Sequence, residues 1–323
     1  MIDYSFLVLS YNHEDYIIEH LESIKYQIEC FGGNKKIKLI INDDASKDKT
    51  VLLIEKWLIS NKYLFDDVVV LKNKKNIGTC RSITNMMAYV GDSLFKMTAG
   101  DDVYSCENIF DLMDQSNYTD IVSGFPIYLC GDDISVKKFV IKNMIASDLI
   151  YAGRSLLHRY KSITFDNAPN ACYKKYYFKS NDIIDFVNMF DVTEDWPIQI
   201  SIARANPSAE SKLLDKCFVL YRRTEGSTYL VASSRFGKDK NNIYNNLIND
   251  SSFFERFLLK NRQWAFNFGK YGRCLNISLY IFFLKYIYNM KIINDRFLKI
   301  NINIEKINSH YTLIKKRSTS YEI

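Results

Sequence analysis

The sequence predicts an α/β fold: a mostly parallel, doubly wound sheet flanked by helices, followed by a helical C-terminal extension. Three observations carry this. Up to about Cys106, short apolar runs alternate with segments of helical period, and strand, helix, strand, helix at this spacing builds a parallel sheet covered on both faces. Three of those runs stop at polar clusters, Ser10-Tyr11-Asn12, Asp43-Asp44 and Asp101-Asp102. After Gly237 the pattern is helical to near Leu313 and rich in aromatic and basic residues.

The elements follow in order. Ser5-Phe6-Leu7-Val8-Leu9 is a continuous apolar run, as suits a strand buried on both faces. Tyr16, Ile17, Leu21, Ile24 and Ile28 recur at helical spacing until Gly32-Gly33-Asn34 breaks the pattern. Ile37 to Ile41 is a second strand, and Ser46 or Asp48 is placed to cap a helix running to about Ser60. Val68 to Leu71 is a third strand, Asn76-Ile77-Gly78 turns into a helix near Arg81 to Val90, and Ser93 to Met97 is the fourth strand. Beyond Cys106 the alternation weakens. Asp120 to Gly124 and Val136 to Ile141 read as strands, and Ile145 to Tyr160 as helix. Phe165 to Cys172 reads as a loop rich in small and polar residues. Pro197 suits the first turn of a helix with Glu194 and Asp195 at its N-terminus, and Phe218 to Tyr221 is a further strand.

Composition narrows the function. A chain of 323 residues with 47% hydrophobic content supports one large α/β unit, read as 1–235, and an appendage, read as 236–323. Seven Cys, an odd number without a Cys-x-x-Cys pair, indicate neither a disulfide framework nor a zinc site and fit a reducing cytoplasm. Four His leave little material for His-based chemistry. Met1-Ile2-Asp3-Tyr4 lacks the basic start of a signal peptide, and no apolar stretch is long enough to span a bilayer. Net charge is +6, yet residues 251–323 hold thirteen Lys and Arg against four Asp and Glu. That tail interleaves Phe253, Phe254, Phe257, Trp264 and Phe268 with Arg256, Lys260 and Arg262. It reads either as helices packed on the main domain or another subunit, or as an amphipathic surface for anionic lipid. It carries no known nucleic-acid module.

In a parallel sheet the carboxyl ends of the strands share one edge, where ligands bind. The three polar clusters therefore line one crevice. Adjacent carboxylates at Asp101 and Asp102 repel and lose solvation unless a cation sits between them. Hard oxygen ligands suit Mn²⁺ or Mg²⁺ shared with substrate phosphates, although Gly-Asp-Asp is also ordinary turn chemistry. On residues alone, Glu194-Asp195 reads first as a charge pair favouring a helix dipole.

The motifs together, in order and spacing, resemble family 2 glycosyltransferases of the A-type nucleotide-sugar fold, bacterial surface-polysaccharide type. The carriers are Ser10-Tyr11-Asn12, Asn42-Asp43-Asp44-Ala45-Ser46, Asn76-Ile77-Gly78, Ala99-Gly100-Asp101-Asp102 and Thr193-Glu194-Asp195-Trp196. They span roughly the first 230 residues. Tyr221-Arg222-Arg223 followed by Gly226-Ser227 resembles the element that closes over the active site. The resemblance implies a UDP-sugar donor, with Tyr11 packed on uracil, Asp44 bonded to its imide edge and Asp101 near the ribose. Ser10, Asn12, Asp43, Asn76, Gly78 and Arg81 complete the nucleotide site. Asp102 would bind the Mn²⁺ or Mg²⁺ that bridges the diphosphate. Asp195 would be the base, with Glu194 its competitor. Arg222, Arg223, Ser227 and Asn167 would serve the diphosphate or the acceptor. That acceptor would be a saccharide, by family context on a lipid diphosphate at the inner membrane face, in capsule or O-antigen assembly. Two positions depart from the pattern: Ala99 stands where a first carboxylate is common, and Thr224 where a His is common. They leave room for a non-catalytic nucleotide-sugar-binding scaffold. A nucleotidyltransferase would show a Gly-rich basic loop after the first strand, whereas Tyr11-Asn12-His13-Glu14-Asp15 is acidic and lacks Gly.

Overall fold

The computed structural model describes residues 1–223 and 234–321. Its first part is β1 (Tyr4–Ser10), α1 (Ile17–Phe31), β2 (Ile37–Asp43), α2 (Thr50–Asn61), β3 (Asp67–Lys72), α3 (Thr79–Met87) and β4 (Leu94–Ala99). The four strands form one sheet in the order β3-β2-β1-β4, and every pairing is parallel. Side-chain alternation along each strand separates two cores. Phe6, Val8, Leu39 and Ile41 pack against α1 and α2, with Trp57 buried among them. Leu7, Ile40 and Phe95 point to the opposite core, which includes Cys80, Ile83 and Met86 of α3. Burial on both faces is why these strands read as unbroken apolar runs. Neither candidate cap for α2 is the N-cap: that residue is Lys49, which makes no side-chain cap, and Asp48, one position earlier, accepts the Thr50 N–H through its Oδ1 at 3.0 Å.

Next come β5 (Val103–Tyr104), α4 (Ile109–Tyr118), β6 (Ile121–Ser123), β7 (Ile127–Cys130), β8 (Asp133–Ser135), α5 (Lys138–Ile150) and α6 (Leu156–Lys161). They are followed by β9 (Ala171–Tyr173), α7 (Asn181–Asn188), α8 (Asp195–Ala205), β10 (Ser211–Leu213) and β11 (Val219–Arg222). Small sheets β10-β6-β9 and β5-β11-β7-β8 mix parallel and antiparallel pairs.

Two expectations fail here. Residues 136–141 are not a strand; the strand is β8 and the apolar run opens α5. Ile141, Met144 and Ile145 are all buried at the i, i+3, i+4 spacing of a helix face, a period visible only when the window extends past Ile141. The single helix expected over 145–160 is two, α5 and α6. Between them Gly153 has φ +71, which interrupts helical geometry.

The remaining helices are α9 (Ser234–Asn249), α10 (Phe253–Phe266), α11 (Ile277–Tyr288), α12 (Met290–Lys299) and α13 (Ile304–Ser318). Ile243, Tyr244 and Leu247 of α9 and Leu259 of α10 join the core that holds Leu7 and Ile40. Ile307, Tyr311 and Ile314 of α13 pack with Val103, Ile127 and Leu220.

Candidate functional site

A cleft of about 1220 Å³ opens at the carboxyl ends of β1, β2 and β4. Ser10, Tyr11, Asn12, Asp44, Asn76 and Gly78 line it together with Asp101, Asp102, Glu194 and Asp195. The structure thus brings most of the motifs to one place.

The loops after β1 and β2 form a laced floor. Asn12 has φ 54 and Ala45 φ 66, and strained backbone of this kind persists only where its surroundings hold it. The Asn12 N–H donates to Ser46 Oγ at 2.9 Å, and Asn12 Oδ1 accepts the Lys47 N–H at 2.9 Å. Beneath them the Asp43 carboxylate accepts the Ser46 N–H at 2.9 Å, the Ser46 hydroxyl at 2.5 Å and the Ser10 hydroxyl at 3.2 Å. Asp43 is consumed in holding this turn and does not line the cleft. Asp44 does line it. Its Oδ1 accepts the Ile77 N–H at 2.8 Å and Asn73 Nδ2 at 2.9 Å, and its Oδ2 accepts the Gly78 N–H at 2.9 Å. The carboxylate therefore seats the turn into α3, an anion at a helix N-terminus. Gly78 is required there. Its φ is +90, and an added Cβ would lie 2.2 Å from Asp191 Oδ1. Tyr11 is 41% exposed and offers an uncovered ring in the cleft wall. Arg81 is exposed on α3 and lies outside the lining.

The next wall carries Ala99, Asp101 and Asp102. Asp102 is buried, and its Oδ1 accepts the Arg222 N–H at 3.0 Å. Burial, with the neighbouring Asp101 charge second, pushes its carboxyl well above the usual range. Such a pair is costly alone and fits a hard divalent cation. Among the described residues no group of three or more His, Cys, Asp or Glu could enclose an ion. These carboxylates would therefore share one with ligand oxygens, as magnesium-type sites do.

Opposite stand Glu194, the residue before α8, and Asp195, its first residue, with Pro197 in the first turn. The loop leading to them is held from α9. The buried Asp239 carboxylate accepts the N–H groups of Asp191 at 3.0 Å, Val192 at 2.8 Å and Thr193 at 3.1 Å. Desolvation, with the Asp195 charge second, pushes the Glu194 carboxyl up to about 8. Lys240 lies 4.3 Å from the Trp196 ring and also lines the cleft. Desolvation pulls its ammonium down to about 8, against the opposing pull of the Asp195, Asp239 and Glu194 charges. Arg235 enters from the start of α9, paired with Asp191 and donating to Asn76 Oδ1 at 3.1 Å.

Several expected residues fall elsewhere. Asn167 is buried beside the cleft, where its Oδ1 accepts from Asn170 Nδ2 at 2.8 Å; the neighbouring Ala168 and Pro169 face the cleft instead. Arg222 is buried and ion-paired with Glu19, and Arg223 lies 4.3 Å from the Tyr128 ring. Neither lines the cleft, because each guanidinium is drawn to partners on another element. Ser227 and Thr224 lie outside the described residues. The sequence reading missed Arg235, Asp239 and Lys240. One signal was available: Asp239 falls in line with the buried Ile243 and Leu247, an acid on the apolar face of a helix.

The family model for glycosyl transferase family 2 matches residues 5–180. The fold is also that of solved structures of TarS from S. aureus. The 1–349 fragment in complex with UDP-GlcNAc aligns with TM-score 0.57 and 16% identity, over 99% of this chain and 92% of that one. The same fragment with UDP aligns with TM-score 0.52 and 15% identity, over the same shares. A longer TarS structure aligns with TM-score 0.55 and 15% identity, over 99% of this chain and 54% of that one. No curated protein matches the sequence. With the family model covering more than half of its length, the chain belongs to glycosyl transferase family 2, and it is a nucleotide-sugar glycosyltransferase of the A-type fold.

Proposed function

We propose that this enzyme transfers a sugar from a UDP-sugar to a saccharide acceptor with inversion at the anomeric carbon. One observation carries the reading: a single cleft holds Tyr11, Asp44 and the Asp101–Asp102 pair on one side and Glu194–Asp195 on the other. Tyr11 takes the uracil ring and the turn between Asp44 and Gly78 takes the nucleoside. Asp102, with Asp101, would hold Mn²⁺ or Mg²⁺, which when bound neutralises charge on the leaving diphosphate. Asp195 accepts the proton of the attacking acceptor hydroxyl. Glu194, pushed up to about 8, stays mostly protonated at neutral pH and is the poorer proton acceptor. One base and direct attack on the face opposite the leaving group give inversion. Arg235, at the rim beside Asn76, supplies the cationic group expected of Arg222 or Arg223. The TarS complexes with UDP-GlcNAc and UDP support the choice of donor class.

The acceptor in this reading is a lipid-diphosphate-linked saccharide of capsule or O-antigen assembly, met at the inner membrane face. No helix among the described residues is long and apolar enough to cross a membrane. The outer helices instead expose Phe253, Phe257 and Trp264 along α10, Phe268 just after it, and Tyr280, Leu284 and Tyr288 along α11. Arg256, Lys260 and Lys285 lie among them. An apolar, basic face of this kind suits an anionic bilayer surface.

The test is UDP release from a panel of UDP-sugars with Mn²⁺ and lipid-linked acceptors, with the product anomer read by NMR. Release with one donor and an inverted product supports the reading. UDP binding with no turnover for any donor overturns it in favour of a non-catalytic scaffold.

A further inference from the structure

We propose that Tyr311, on the last long helix, is a positioning residue for the Asp101–Asp102 pair and acts through Arg222. The inference rests on the reading of Asp102 as a cation ligand. Arg222 touches the pair twice. Its backbone N–H donates to Asp102 Oδ1 at 3.0 Å, and its Nε–H donates to the Asp101 carbonyl at 2.7 Å. The guanidinium cannot hold that pose by itself, because Nε sits at the end of a long flexible stem. It is fixed from the other side. Its Nη2 is ion-paired with Glu19 of α1, and its plane lies 4.6 Å from the Tyr16 ring.

Tyr311 completes the clamp. Its hydroxyl donates to Glu19 Oε2 at 3.1 Å and accepts from Arg222 Nη1 at 3.4 Å. Glu19, Arg222 and Tyr311 are all buried, so an unmet donor or acceptor among them has no water to turn to. The adjacent His310 makes a second tie on the same helix. Its Nε2 lies 2.8 Å from the Tyr104 carbonyl, on the strand that β11 pairs with antiparallel. Helix α13 thus grips both β5 and β11, the two strands that emerge beside Asp101–Asp102. Tyr311 is not among the residues that line the cleft and reaches it only through Arg222. Its work is to keep the Arg222 fork aimed at the Asp101 carbonyl, next to the Asp102 carboxylate that the Arg222 backbone N–H holds.

The test is Mn²⁺ binding to the protein–UDP complex, read by EPR of free Mn²⁺, with UDP affinity in EDTA and thermal melting measured alongside. Tyr311→Phe keeps the ring and removes only the hydroxyl. It should weaken Mn²⁺ binding roughly tenfold, the low end for partners that orient a metal-ligating carboxylate, while metal-free UDP affinity stays within about twofold. Arg222→Lys, which keeps the charge but loses the fork, should weaken Mn²⁺ further, and Asp102→Ala should abolish it. Unchanged Mn²⁺ affinity in Tyr311→Phe, with Asp102→Ala still deficient, overturns the positioning role and leaves the metal reading standing. Equal loss of Mn²⁺ and of metal-free UDP affinity in Tyr311→Phe overturns it too, as general damage to the cleft. Retained Mn²⁺ binding in Asp102→Ala overturns the metal reading and this inference with it.

Discussion

The cleft wall formed by the ends of β1, β2 and β4 is assembled from neighbours in the sheet. The wall carrying Glu194 and Asp195 is assembled from residues far apart in the chain. On the first, parallel pairing alone sets Ser10 beside Asp43 and Leu9 beside Ala99, and each loop follows directly from its strand. On the second, the loop before α8 has three N–H groups satisfied by Asp239, a residue of α9. Local register makes one half of the site; a single distant carboxylate makes the other. The β1 and β2 ends of the first wall should tolerate changes elsewhere in the chain, and only its Asp101–Asp102 end leans on the remote Arg222 and Tyr311; the second wall should fail when its remote anchor is removed.

The sharpest break is at the base. Asp195→Asn should lower turnover by about 10²- to 10⁴-fold, the range for loss of a positioned general base, in steady-state assays with the preferred donor. Next is the anchor. Asp239→Ala leaves three N–H groups without their acceptor, so stability in urea should fall by roughly 2–3 kcal/mol and turnover should drop with it. The comparable change on the first wall is Gly78→Ala, where the Cβ meets Asp191 and φ > 0 is strained. It should cost about 1–3 kcal/mol and weaken UDP binding in calorimetry.

A smaller effect is a pH signature. The Glu194 carboxyl is raised from 4.5 to about 8 in the folded chain. Between those values the native state holds a proton that the unfolded state has released, so this group makes stability fall as pH rises through that window. Glu194→Gln should flatten the fall in denaturation midpoints measured from pH 5 to 8. Smallest of all, Arg81→Ala should leave stability within about 0.5 kcal/mol and UDP affinity unchanged, since Arg81 is exposed outside the cleft. A large loss of UDP affinity would place it in the site after all.

The same contrast explains what could be read from the sequence. Strands buried on both faces announce themselves as apolar runs, and their polar endings mark the crevice. Asp44 and Asp102 were therefore visible, as was the α8 N-terminus through Glu194, Asp195 and Pro197. Asp43 was visible as well but not its duty, because hydrogen bonds to Ser10 and Ser46 have no sequence signature distinct from a ligand contact. Arg222 was misplaced for a related reason. Its partner Glu19 lies near the start of the chain and Tyr311 near its end, and no local pattern reports such closures. Residues 136–141 were misassigned because a six-residue window cannot separate a strand from the first turns of α5.

The most direct test of this division is to compare UDP affinity and turnover in Asp44→Ala and Asp195→Asn. The account predicts that Asp195→Asn binds UDP like the wild type and turns over at least about a hundredfold more slowly, while Asp44→Ala loses UDP binding. Asp195→Asn that turns over normally, or that loses UDP binding as Asp44→Ala does, would contradict it.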